Sequence, residues 1–97
     1  MTIQTILVVE PSPIERAQLS SMLTAAGYQV TLAGDGEEGV DIARRDRPDL
    51  ILMEVVMPGL NGYQATRALT RSEDESLARI PVILVSAKGQ DTDKVWG

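Results

Sequence analysis

Three polar residues in this sequence stand directly after short apolar runs: Glu10 after Ile6-Leu7-Val8-Val9, Glu54 after Leu50-Ile51-Leu52-Met53, and Ser86 after Val82-Ile83-Leu84-Val85. If the three runs are neighbouring parallel strands, two carboxylates and one hydroxyl share a rim at the carboxyl edge of a sheet, where open α/β folds keep their functional crevice. A single polar strand end is ordinary solvation. The combination is harder to dismiss, because Glu54 is followed by Met57-Pro58-Gly59 and then Asn61-Gly62, turn-forming residues that set an ordered loop beside the carboxylate.

The elements that would position this rim are legible in the spacing. The three runs are apolar on both faces and rich in sheet-favouring residues, as expected for parallel strands covered on both sides by crossover helices. Gln29-Val30-Thr31-Leu32-Ala33 alternates instead, which predicts an edge strand. Ser12, Pro13 and Glu15 supply an N-cap, a first-turn proline and a capping-box acid for a helix over residues 13–26, stopped by Gly27, with Leu19, Met22, Leu23 and Ala26 as its inner stripe. Asp35 and Glu38 repeat the capping pattern for a second helix ending near Asp46, with Val40 and Ala43 inward. A third helix is predicted from Tyr63, with Ala65, Ala68 and Leu69 inward, fading into Ser72-Glu73-Asp74-Glu75-Ser76, a solvated loop. A fourth would start around Asp91. The order predicts right-handed parallel crossovers in a single open α/β domain spanning residues 1–97.

Composition narrows the chemistry. With no cysteine and no histidine among 97 residues, disulfides, thiolate metal sites and the usual general base are excluded, so hydrolase triads and zinc chemistry are poor fits. A net charge of -5 with nine Lys plus Arg argues against nucleic acid as a partner. No apolar run approaches the roughly 20 residues of a membrane span, and no secretion signal is visible, so the cytoplasm is the expected compartment. The glycines at 34, 36 and 39 lack the order of a dinucleotide-binding loop.

These residues resemble the receiver domains of bacterial response regulators, in particular the small receivers of pilus chemosensory systems that govern twitching motility. The likeness runs along the whole chain: the acid after the central strand, Met57-Pro58-Gly59, Asn61-Gly62, Gly62-Tyr63-Gln64-Ala65-Thr66-Arg67, Ile80-Pro81 with the strand to Ser86-Ala87, and Gln90 to Gly97. The resemblance implies a CheY-like, flavodoxin-like fold with strand order 2-1-3-4, a histidine kinase or other signalling protein as partner, and no enzymatic activity.

Two positions depart from the family pattern. Receivers of this kind end the third strand in a phosphoacceptor aspartate, where Glu54 stands here, and end the first in two adjacent acids that help hold Mg²⁺, where Glu10 and Pro11 stand. Ser86 matches the switch hydroxyl; Lys88 does not match the family's lysine. Pro11 offers no side-chain oxygen, and the extra methylene of Glu54 displaces the carboxylate from the attacking position. The expectation is a degenerate, phosphorylation-impaired receiver with no cofactor and Mg²⁺ binding in doubt, Glu10 and Glu54 being the candidates for any metal. Glu54 reaching towards Ser86 would also partly imitate a phosphoaspartate, in which case Glu54→Gln changes partner affinity; unchanged affinity would reject that idea.

Receivers close with a further strand and helix that the sequence does not reach before Gly97, so the domain is expected to be C-terminally incomplete. The fourth strand would then be an open edge, available for a homodimer or strand exchange. Trp96 and Tyr63 are candidate partner contacts. The alternatives are a receiver still competent for phosphorylation and a flavodoxin-like small-molecule binder.

Overall fold

In a computed structural model, which describes residues 2–85, the chain alternates strand and helix from its first apolar run. β1 (Thr5–Val9), α1 (Pro13–Ala25), β2 (Gln29–Ala33), α2 (Gly36–Asp46), β3 (Leu50–Glu54), α3 (Gly62–Thr70), the single turn α4 (Glu75–Ala78) and β4 (Val82–Val85) follow in order. All strand pairs are parallel and the sheet order is β2-β1-β3-β4. Strand order therefore reverses between β1 and β3, the switch point that opens a crevice at the strands' carboxyl ends.

Right-handed crossovers put α1 on one face and α2 and α3 on the other. The face under α2 and α3 holds the main core, in which Leu7, Val9, Ile51 and Met53 of the central strands meet Val40 and Ala43 of α2, Ala65 and Leu69 of α3, and Leu77 of α4. The predicted inward residues of α2 and α3 are thus where the 3.6-residue period places them. On the other face α1 packs against β1 and β2 without burying any of its own residues completely. Leu19 and Leu23 are half-buried, whereas Met22, expected in the inner stripe, is 65% exposed and Ala26 lies at the exposed C-cap. The spacing found the helix but set its apolar face too wide, because α1 rests on the edge of the sheet and is flanked by no other helix among the described residues.

The Ser72–Ser76 segment corrects a second expectation. It is not simply a solvated loop: Asp74 caps α4, accepting from Ser76 N at 3.0 Å. Arg47 reaches it from the end of α2, donating to Asp74 Oδ2 and Ser76 Oγ, each at 2.7 Å, and this pairing holds the Asp74 carboxyl well below its usual range. Arg47 itself closes α2 in the left-handed region, at φ 50°.

Asp49 anchors the register of the two central strands. Its Oδ2 accepts from the backbone N–H groups of Gln4 (2.9 Å) and Thr5 (3.1 Å), while its own N–H donates to Thr5 Oγ1 at 3.0 Å. The amides of Gln4 and Thr5 hold the Asp49 carboxyl below its ordinary value. A carboxyl depressed in the folded state stabilises the fold above its unfolded pKa, about 3.9, and that contribution is lost as pH falls through the lower folded value. Asp49→Asn is therefore expected to lower the melting temperature at neutral pH, with the deficit shrinking in acid. A deficit independent of pH, measured by thermal unfolding across the acid limb, would assign the effect to something other than this charge.

Candidate functional site

The switch point gathers carboxylates. Glu10 follows β1 and Glu54 ends β3, and both are buried, at 2% and 1% exposure. One oxygen from each, together with one from Glu15 on the first turn of α1, lies within 4.8 Å of the others. These three residues line a cleft with Pro11, Ser12, Val56, Met57 and Pro58. Gly59 lines the adjoining groove, beside Pro11, Asp35, Gly36 and Leu60.

Local structure explains why each side chain points here. Glu10 N continues the sheet by donating to Ala33 O, and Glu10 Oε2 accepts from Ser12 N at 2.8 Å, folding the carboxylate back over the start of α1. Arg16 does not neutralise it: the guanidinium donates to the Glu10 carbonyl oxygen at 2.9 Å. Burial is the largest influence on the Glu10 carboxyl and pushes its pKa up; the Ser12 amide opposes that, and the neighbouring Glu15 and Glu54 add to it.

Glu54 Oε2 accepts from the next residue's amide, Val55 N, at 2.9 Å. The same N–H also donates to Val85 O at 2.9 Å, so the ladder and the carboxylate share one donor. Past this point the chain turns through the Met57-Pro58-Gly59 loop, in which Met57 is buried and Gly59 sits at φ 72°. The loop closes where Gly62 N donates to Val55 O at 3.0 Å. Gly62 then starts α3 directly against the end of β3, under a cap in which Asn61 and Gln64 exchange side-chain-to-backbone hydrogen bonds.

Of the residues singled out in the sequence, Glu10, Pro11, Glu54, Met57 and Pro58 come together in one cleft, and Gly59 borders it. Ser86, Lys88, the helix expected around Asp91, and Trp96 lie outside the described residues. Tyr63 is described and is 56% exposed on α3. The site residue missed is Glu15. Its spacing from Ser12 is that of a capping box, but the Ser12 N–H that would donate to such a glutamate already donates to Glu10 Oε2.

Three clustered carboxylates suit a hard divalent cation, which takes oxygen ligands, and among the described residues none of the three forms an ion pair with Lys or Arg. The donor chemistry of these carboxylates is therefore of the kind that would hold such an ion. Bound there, the cation would neutralise negative charge at the mouth of the cleft.

Comparison with known proteins places this cleft in a family. PilH of Pseudomonas aeruginosa is 53% identical over 92 residues, covering 95% of this chain and 74% of that protein. The transcriptional regulatory protein AfsQ1 of Streptomyces coelicolor is 34% identical over 93 residues, and there the chain spans only 39% of the relative's length. Among solved structures, the receiver domain of the sensor histidine kinase PA1611 of Pseudomonas aeruginosa, described with a magnesium ion coordinated in its active site cleft, superposes with a TM-score of 0.82 at 38% identity over 97% of this chain and 75% of that one. The chemotaxis protein CheY4 of Vibrio cholerae gives a TM-score of 0.78 at 27% identity, covering 99% and 82% of the two chains. The family model for the response regulator receiver domain matches residues 6–96, and on that match the chain belongs to the response regulator receiver family.

Proposed function

We propose that this receiver is degenerate: a signalling interaction module of a pilus or chemotaxis-like two-component system, partnered by a histidine kinase or another signalling protein, in which transfer of a phosphoryl group to residue 54 is impaired. The observation that carries the reading is the posture of Glu54. Its carboxylate is buried, one methylene longer than the aspartate of the receivers it resembles, and bonded back to the Val55 amide. Phosphoryl transfer to a carboxylate relies on in-line positioning and charge neutralisation more than on any covalent help from the protein. Pro11 lines the cleft without contributing an oxygen. The likeness to PilH supports the pilus setting. No described helix is long and apolar enough to cross a membrane.

The test is direct. Incubated with acetyl phosphate and MgCl₂, the chain is expected to keep its mass by intact-protein mass spectrometry. A stoichiometric phosphoryl adduct mapped to residue 54 would replace this reading with that of a working phosphoacceptor.

A further inference from the structure

Three helices here begin with a capping residue and a longer polar side chain three positions on, and they differ in what the second side chain does. At α3, Gln64 returns a hydrogen bond to Asn61 N at 2.9 Å. At α2, Glu38 reaches back to Gly34 N at 2.7 Å while Asp35 accepts from Glu38 N. At α1, Ser12 Oγ accepts from Glu15 N at 3.3 Å, but the returning bond is missing because Glu10 occupies Ser12 N. Glu15 is thereby released from the cap, and its carboxylate joins those of Glu10 and Glu54 in the cleft.

Unaided, that placement is unfavourable, since it brings a third like charge to two buried ones. Glu10 and Glu54 are each more than nine-tenths buried, and in each only Oε2 accepts a hydrogen bond from an N–H group among the described residues. The remaining oxygens belong to carboxylates that converge on the cleft. Among the described residues no Lys or Arg forms an ion pair with this cluster, and three converging carboxylates are the donor set that a hard divalent cation takes.

We propose that Glu15 is an oxygen ligand of a divalent cation shared with Glu10 and Glu54, delivering from the first turn of α1 the carboxylate that residue 11, a proline, cannot offer. The inference rests on the receiver cleft but not on whether residue 54 takes up a phosphoryl group. The adduct measurement tests the one and a metal titration the other, so either can fail alone.

The chain, freed of metal with EDTA and dialysed, is titrated with MnCl₂ while free Mn²⁺ is followed by electron paramagnetic resonance, and the bound ion is then displaced with MgCl₂. One saturable site is expected. Glu15→Gln is expected to weaken it by at least about tenfold, the scale on which even residues that only support a metal ligand act, while the exposed Glu73→Gln leaves it unchanged. Circular dichroism and urea midpoints establish that each variant is folded. Adding Pro11→Asp to the Glu15→Gln chain is expected to recover most of the lost affinity. The proposal is overturned by a parent chain without saturable Mn²⁺ binding, by a Glu15→Gln chain that binds as tightly as the parent, or by a double variant that stays as weak as Glu15→Gln.

Discussion

Gly62→Ala is expected to destabilise the protein by about 3 kcal/mol or more, the upper end of the cost of overpacking, and to distort the cleft at the same time. A Cβ at this position would lie 2.3 Å from the carbonyl oxygen of Glu54 and 2.8 Å from Val55 Cα. Both are backbone atoms of the strand end, so no side-chain rotation relieves the clash; either α3 lifts away from β3 or the end of β3 bends. Gly59→Ala is the control. Gly59 has a positive φ of 72° but open space around its Cβ position, so only the left-handed backbone penalty applies, about 1–2 kcal/mol. Urea unfolding of the two variants checks the order. If Gly62→Ala proves no more harmful than Gly59→Ala, the close approach of α3 to β3 is not what fixes the loop.

The second large effect is a gain. If residue 54 is the impaired acceptor proposed above, Pro11→Asp combined with Glu54→Asp is expected to raise the rate of reaction with acetyl phosphate, the carboxylate oxygen of residue 54 bonding to phosphorus as the acetate oxygen leaves. Shortening residue 54 withdraws the carboxylate from the Val55 amide, its partner in the parent chain, and an acid at 11 restores an oxygen beside Glu10. Misplacement of a reacting group by about 1 Å can cost a hundredfold in rate, so the double variant should label at least about a hundred times faster than the parent. Mass spectrometry over time measures this. Labelling that stays at the parent's level would show that the block lies outside positions 11 and 54, and the degenerate reading would lose its physical cause.

Much of this site could be read from residue order because strand ends and caps are local. The apolar runs ending at Val9 and Met53 place Glu10 and Glu54 at strand ends, short crossovers make the strands parallel, and the order β2-β1-β3-β4 is the one the receiver resemblance implies. Ser12 and Asp35 cap the helices their spacing implies, and α3 begins one residue before its expected start at Tyr63, under an Asn61 cap that the turn signal hides. What escaped was decided by groups distant in sequence or by competition for one donor. α4 is braced by Arg47, 27 residues before Asp74 and 29 before Ser76, a link that no local pattern in a charged run reveals. Glu15 carries a capping-box signature that would be correct if Ser12 N were free, and only the geometry shows that Glu10 arrives there first. Met22 has helical periodicity but sits 65% exposed, since the period specifies a stripe and not how much sheet lies beneath it.

The Val55 N–H, divided between Glu54 Oε2 and Val85 O at 2.9 Å each, makes the acid in the cleft and the edge strand rivals for a single proton donor. Whatever draws the Glu54 carboxylate forward would leave that donor to Val85 alone; whatever keeps the carboxylate in place keeps the donor divided. A charge event at Glu54 would then reach the β4 rung at Val85 through one shared donor, and the exchange rate of the Val55 amide hydrogen would report it.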